Sequence, residues 1–452
     1  MIGAQRILIM IGLLTLGHGI DMNLKSMIIW ALRQDQTKTF IRMSADTTSR
    51  LDKFNAIWKD AYENIPFYAE WKMKYALPDK IADIVELSKW PILEKQDLIL
   101  NRAKLVRKDI KRFHESVTGG ATGEPLHFRT MAGESDVVAA NKWIGWARMG
   151  IYPDSRCFLL WGHRHFYGQG FKSNLKFAWR QFKDWMTNNL RMDATNLSHN
   201  ALEKDVRHLI NFKPECIIAY SASLLALIRT CRIYRDRCRA IGIKAIVCTA
   251  GPLTADERAE ISAFFNAPIG MEYGSMEAGV MAYQTPMTNN RYEVFDQTHV
   301  IHAEAGNDSV LNQIIVTTLT RRYLPLIRYR VGDYMSGICM RDDGTVNGFQ
   351  EVSGRSGDMI DLGNGIRFHG YSLMVCAEEN PKIIAHQLKV NKNKGIVIFS
   401  AQTLSPLTDG EKQHIQKHAA DIASIDYRLI NVEEVKELIK APSGKIRLVI
   451  NQ

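Results

Sequence analysis

Six short stretches carry the residues that could do chemistry. The first, Ser-Val-Thr-Gly-Gly-Ala-Thr-Gly-Glu-Pro (116–125), packs three glycines and two threonines between Thr118 and Pro125. Such a run makes a poor helix and a poor strand. It turns sharply, aims several backbone N–H groups at one point and adds hydroxyl donors, which is the chemistry of a phosphate cradle. No Gly-Lys-Ser/Thr follows, so it is not a Walker loop, and a plain surface loop has the same composition. The second stretch, Glu-Tyr-Gly-Ser-Met-Glu (272–277), offers an aromatic ring, a glycine for close backbone approach and a carboxylate suited to Mg²⁺. In Pro-Leu-Ile-Arg-Tyr-Arg-Val-Gly-Asp (325–333) an Asp follows a Gly, and its carboxylate can accept from a pair of ribose hydroxyls. Gly-Arg-Ser-Gly-Asp (354–358) sets a fixed cation beside a pivot, Ala-Gly-Pro-Leu-Thr (250–254) opens a helix, and Pro-Ser-Gly-Lys (442–445) places an ammonium near the C-terminus. Singly, each has an ordinary reading: Asp333 as a turn residue, Arg355 as a surface charge, Lys445 as a tail lysine. Their joint occurrence in this order is what points to a nucleotide site.

The elements around these stretches follow from periodicity. Apolar spacing is helical from Leu51 to just before Pro66, and again over 131–150, 201–211 and 222–240. Thr254 reads as an N-cap before an acidic first turn, Asp256-Glu257, of a helix reaching Phe265. Strands at 157–161, 216–220 and 245–249 alternate with these helices, which predicts an α/β fold with largely parallel pairing. After Tyr273, taken as the end of a strand, the pattern turns β-rich at 294–295, 299–302 and 313–318. Residues 375–450 read strand, helix, strand, with runs at 394–399, 409–423 and 427–432. Glycines at 354, 357, 363, 365 and 370 suit a hinge near Gly357-Asp358. The expected organisation is a helical, apolar N-terminal segment over 1–50, a large N-terminal α/β domain of sheets and helices over 51–356, and a small C-terminal α+β lid over 357–452.

With 452 residues, 46% hydrophobic and 23% charged, the chain has ordinary globular composition. A net charge of +10 suits anionic ligands or an anionic membrane surface, and no dense basic tract argues for nucleic acid. Seven scattered cysteines without CxxC pairs read as free thiols in a reducing compartment, so the expected location is cytoplasmic. The apolar run 7–17 is too short for a confident span and lacks a convincing cleavage site. It is read as a helix that packs on the protein or touches the inner face of the membrane. Trp143 and Trp146, three apart on one apolar face, read as core. The basic, aromatic stretch 171–192 either faces nucleic acid or lipid, or is a solvated amphipathic helix.

The ordered motifs resemble those of the adenylate-forming superfamily of acyl-CoA ligases, acyl-adenylating enzymes and luciferases. More narrowly, they resemble phenylacetate–coenzyme A ligases and their relatives from capsular-polysaccharide clusters. The resemblance spans roughly residues 50–452. It rests on Glu-Asn-Ile-Pro-Phe-Tyr (63–68), Trp-Pro-Ile-Leu-Glu-Lys (90–95), the spacing from Ala-Gly-Pro-Leu-Thr to Tyr-Gly-Ser-x-Glu, and the stretches ending in Asp333, Arg355 and Lys445. It implies ATP, Mg²⁺ and coenzyme A as cofactors. Thr118, Gly119, Gly120, Thr122 and Gly123 would form the phosphate loop, with Tyr273 and Gly274 beside the adenine. Glu277 would be the Mg²⁺ carboxylate, Asp333 the ribose acid and Arg355 a contact to ribose or phosphate. Lys445 would be the catalytic lysine of a rotating C-terminal domain. Where the family has a hydroxyl before the magnesium Glu, this chain has Met276; Glu124 and Asn312-Gln313 also depart from its pattern. The implied reaction joins a small carboxylic acid through acyl-AMP to coenzyme A, or to a sugar hydroxyl or amine, and the expected partners include a second copy of the chain in a homodimer. A catalytically impaired relative that binds nucleotide or scaffolds glycan assembly is the competing reading.

Overall fold

The computed structural model describes residues 24–451, apart from 108, 118–126, 132, 162–170, 195–198, 250, 306–310, 356–358, 364–365, 370–379, 381, 424 and 440–448. The apolar run 7–17, the phosphate-loop residues Thr118, Gly119, Gly120, Thr122 and Gly123, the hinge at Gly357-Asp358 and Lys445 lie outside the described residues.

In chain order, a hairpin of β1 (Phe113–Val117) and β2 (His127–Met131) precedes β3 (Cys157–Leu160), β4 (Asn189–Met192), β5 (Cys216–Tyr220) and β6 (Ala245–Thr249). Then come β7 (Ile269–Ser275), β8 (Gly279–Gln284), β9 (Tyr292–Val294), β10 (His299–Ala305), β11 (Asn312–Thr318) and β12 (Tyr329–Ser336). The short β13 (Cys339–Met340) and β14 (Val346–Phe349) lead to β15 (Glu351–Arg355). A nine-stranded sheet runs β13-β14-β9-β8-β7-β6-β5-β3-β4, and a four-stranded antiparallel sheet runs β10-β11-β12-β15.

The period of two explains the large sheet. Phe158, Leu160, Ile217, Ala219, Ile246 and Cys248 enter the main core on one face. Cys157, Leu159, Cys216, Ile218, Ala245 and Val247 enter a second cluster with Trp143 and Trp146 on the other. Strands buried on both faces read as continuous apolar runs, which made them visible in sequence. Pairing is parallel from β4 through β7 only; β7–β8 and β8–β9 are antiparallel. The expectation of largely parallel pairing thus holds for one half of the sheet. The chain turns back at once after β7 through residues 276–278, too short a link for a parallel crossover.

The helix Arg50–Asn64 ends at Ile65, held extended before Pro66, and Pro66 is the first residue of the next helix, Pro66–Lys74. This packs Tyr68, Trp71 and Trp90 edge to face around Trp58, with Phe54 edge to face on Trp90. The Tyr68 hydroxyl donates to the Pro325 carbonyl. Leu93 exchanges backbone bonds with Arg328 and Arg330 at 3.0 Å each, and Arg330 pairs with Glu94 at 2.8 Å. The motifs 63–68 and 90–95 therefore brace the start of β12. The stretch 222–240 is not one helix. Ser221–Thr230 ends at Cys231, and a short turn, Arg232–Tyr234, precedes Arg235–Arg239, so that Tyr234 turns inward and donates to Glu203 at 2.8 Å.

Beyond β15, β16 (Met359–Gly363) pairs with β17 (Ile366–His369). The strands β18 (Ile383–Asn391), β19 (Ile396–Thr403), β20 (Ile430–Glu434) and β21 (Val449–Asn451) form a mixed sheet, β20-β19-β18-β21, under the helix Asp409–Ala423. Ile360, Leu388, Phe399, Ile415, Ala419 and Ile430 belong to a hydrophobic cluster separate from that of the large sheet. Ahead of the main body, the helices Leu24–Leu32 and Gln34–Ser44 dock onto it: Trp30 Nε1 donates to Asp154 at 3.1 Å and Arg33 donates to the Pro153 carbonyl.

Candidate active site

Val117 pairs with His127, so the β1–β2 hairpin brings the two residues that flank 118–126 to one place. At that end of the hairpin, the Arg321 guanidinium lies over the Phe128 ring, 5.5 Å from its centroid. Its Nη2 donates to the Met276 carbonyl at 3.4 Å. Burial lowers the Arg321 pKa, opposed by Glu134 and Glu277. This buried cation joins the base of the glycine loop to the turn carrying Glu277. Glu134, at the start of the helix Glu134–Ala147, ties the same region together by accepting from the backbone N–H groups of Met131, Arg322 and Tyr323 at 3.1, 2.7 and 2.9 Å.

Residues 272–275 lie within β7, not beyond its end, and 276–278 form the tight turn into β8. The fit at Gly274 explains the glycine: a Cβ there would sit 2.5 Å from the Gly279 carbonyl oxygen. The close approach it permits is to the chain's own hairpin. Ser275 Oγ accepts from the Ala278 N–H at 3.0 Å, and His299 Nε2 donates to the Ala278 carbonyl at 3.0 Å. Burial pushes the His299 pKa down to about 4, so a neutral imidazole supports the turn. Glu277 is half-buried, and its Oε1 accepts from the buried Tyr329 hydroxyl at 3.3 Å. Met276 is exposed.

Tyr273 points inward, edge-on to Tyr292 and Phe349, and its hydroxyl donates to Asp333 Oδ2 at 2.9 Å. Asp333 follows Gly332, whose φ of +88° lies in the left-handed region that glycine tolerates, and a bulge falls between Asp333 and Tyr334. Asp333 lies opposite Arg355 across β12–β15. The structure thus brings Tyr273, Asp333 and the backbone of Arg355 together, with Glu277 on the neighbouring turn. Arg321, Glu134, His299 and Tyr329 were missed in the sequence. The role of each appears only when β2, β7 and β12 meet, and no local spacing marks it.

The carboxyl ends of β3, β5, β6 and β7 form one edge, the usual place for a ligand crevice in an open α/β sheet. Trp161 and Tyr220 meet there at 4.7 Å, with Lys142 Nζ 5.7 Å from the Trp161 ring centroid. Glu272 is buried, its pKa raised by desolvation, and its Oε2 accepts from Trp146 Nε1 at 3.2 Å. Among the described residues no cluster of three or more His, Cys, Asp or Glu side chains could hold a metal by itself. A single half-buried carboxylate such as Glu277 fits Mg²⁺, which takes one or two protein carboxylates and completes its shell with phosphates and water.

No protein-family model matches the sequence. The chain is 23% identical over 427 residues to Protein CapK of Staphylococcus aureus, covering 88% of each. It is 24% identical over 341 residues to the phenylacetate-coenzyme A ligase of Escherichia coli, covering 70% of this chain and 73% of that one. Its fold matches 2-hydroxyisobutyryl-CoA ligase in the postadenylation state with a TM-score of 0.68 at 14% identity, over 89% of both chains. Fold, motif order and near-full-length similarity agree: the chain has the fold of an acyl-CoA ligase and is similar in sequence to phenylacetate–coenzyme A ligases and to CapK.

Proposed function

We propose that this protein is an AMP-forming acid–thiol ligase. A carboxylate oxygen attacks the α-phosphorus of ATP, the bond to the bridging oxygen breaks, and pyrophosphate leaves. The coenzyme A sulfur then attacks the acyl carbon and AMP departs. The observation that carries this reading is the convergence of the glycine-loop hairpin, the Glu277 turn and the Tyr273–Asp333 pair at one place. The task there is to hold two anions together and to stabilise charge building on the α-phosphate. Asp333, oriented by Tyr273, accepts from the ribose hydroxyls, with Arg355 opposite. Residues 118–123 wrap the phosphates, and Arg321 holds that hairpin against the Glu277 turn. Glu277 would hold Mg²⁺, which neutralises phosphate charge when bound. Lys445 reaches the reacting carboxylate from residues 357–452, which turn as a lid about Gly357-Asp358.

The similarity to CapK supports a role in capsular or exopolysaccharide assembly, with a sugar hydroxyl or amine as the second acceptor to test. The direct test of the reaction is carboxylate-dependent exchange of labelled pyrophosphate into ATP, followed by coenzyme A-dependent release of AMP. ATP binding without exchange across aryl, fatty and amino acids would favour the scaffold reading.

Asp333 gives a sharper expectation. Asp333→Ala removes acceptors for the ribose and should weaken ATP binding by about 1–3 kcal/mol, with acid binding little changed. Tyr273→Phe, which removes the bond that orients Asp333 and keeps the carboxylate, should cost less. Calorimetric titration with ATP and with the acid separates the two ligands. Unchanged ATP affinity with collapsed acid affinity would move Asp333 to the acid pocket.

A further inference from the structure

The helix Phe171–Met186 carries an apolar face that no described element covers. At 100° per residue, Leu175, Ala178, Trp179, Phe182 and Trp185 fall within an arc of about 120°. All five are exposed: Leu175 is 63%, Trp179 57%, Phe182 45% and Trp185 72% open to solvent. Trp179 and Phe182 stack at 5.5 Å, and Phe182 and Trp185 at 6.0 Å, so the rings form one continuous plate. The opposite side faces the protein. Asp184 is buried and is held by Arg191 Nε of β4 at 2.8 Å and by Arg180 Nε at 3.3 Å. A soluble helix normally points its apolar stripe at the core. This one is anchored by its polar side and points the stripe outward, and exposed apolar patches of this size mark interaction surfaces.

Charge selects the occupant. Lys172, Lys176 and Lys183 fall on one flank of the arc by helical position, and the whole chain carries +10. Tryptophan and phenylalanine on one face with a lysine border are the composition of a helix lying in the headgroup plane. We infer that the Phe171–Met186 helix docks this protein in-plane on an anionic phospholipid bilayer. The second exposed apolar pair supports this. Ile28 and Leu32, four apart on the helix Leu24–Leu32, are about half exposed, and that helix and Asn188, two residues past the end of this one, both reach the 153–154 turn. There Asp154 accepts from Trp30, and its carbonyl accepts from Asn188 at 2.8 Å. The docking edge is β4, the end of the sheet, four strands from β7 and so about 19 Å from the Asp333 site. Lipid contact leaves the nucleotide crevice open. No described helix is long and apolar enough to cross a membrane, as an in-plane contact requires none.

The experiment is flotation of the full chain with vesicles of phosphatidylcholine alone and of phosphatidylcholine with an equal part of phosphatidylglycerol. The expected result is association with the anionic vesicles only, weakened by salt. Lys172→Gln with Lys183→Gln should lower vesicle affinity about 25-fold, roughly five-fold per charge. Trp179→Ser, Phe182→Ser and Trp185→Ser together should abolish flotation while leaving the circular-dichroism spectrum and pyrophosphate exchange intact. Should the triple variant fail to fold, the lysine pair decides. Three results would overturn the inference. One is absence of wild-type flotation, and another is undiminished flotation of the triple and lysine variants. The third is a wild-type dimer in sedimentation velocity that the triple variant dissolves without any vesicle binding, which would make the plate a self-interface.

Discussion

Lys445→Ala should slow adenylation by about two to three orders of magnitude while leaving acyl transfer from prepared acyl-AMP near the wild-type rate. The expectation rests on Ser443-Gly444-Lys445, beyond the glycine-rich stretch near 354–370, in a C-terminal part with its own hydrophobic cluster. On this account the ammonium sits between the carboxylate and the α-phosphate in the adenylation pose. There it counters charge that develops only in the transition state, and loss of one such donor costs roughly 10²–10³ in rate. The proposed lid then turns away, so the second step proceeds without Lys445. Both half-reactions are run separately on one preparation. Equal loss in both would make the lysine structural or common to the two poses, and no loss in either would remove it from the mechanism.

Glu277→Gln should slow adenylation by about 10²-fold at fixed Mg²⁺, the scale for removing one element of an electrostatic clamp. It should also raise the Mg²⁺ concentration needed for half-maximal rate. The substitution keeps the shape of the side chain and an acceptor for the Tyr329 hydroxyl, which donates to Glu277 at 3.3 Å. The turn, held independently by His299 and Ser275, should therefore stand. Tyr329→Phe is the control: it removes the hydrogen bond but not the carboxylate, and its Mg²⁺ dependence should remain near wild type. A Glu277→Gln enzyme with unchanged rate and unchanged Mg²⁺ dependence would show that the carboxylate does not hold the metal.

Much of this arrangement was legible in the sequence. The strands Cys216–Tyr220 and Ala245–Thr249 are short apolar runs bounded by polar turns, and Thr254 is the expected N-cap, its bond with Glu257 closing a capping box. The backbone constraints at Gly274 and Gly332 were also readable, because glycine beside a polar residue marks such a constraint. Three things were not. The antiparallel return after β7 depends on a tight turn whose glycine, Gly279, takes a φ of +83°, and one glycine does not announce pairing direction. Arg321 looks like any arginine in Arg321-Arg322-Tyr323. Its contact with Met276 is between residues 45 positions apart, set by tertiary packing. For Phe171–Met186 the sequence left lipid or nucleic-acid contact open beside a solvated helix, because periodicity shows that a helix has an apolar stripe but not which way the stripe points.

The central claim is that the Tyr273–Asp333 pair, the Glu277 turn and the glycine-loop hairpin form one adenylation site. Pyrophosphate exchange measures it most directly, because it reads acyl-AMP formation without any assumption about the acceptor. The account predicts that the wild-type chain exchanges label into ATP only when a cognate carboxylate is present. It predicts further that Asp333→Ala, Glu277→Gln and Lys445→Ala each depress that exchange, Asp333→Ala through ATP affinity and the other two through rate. Exchange that persists unchanged in all three variants would contradict it, as would ATP binding without exchange for every acid tried.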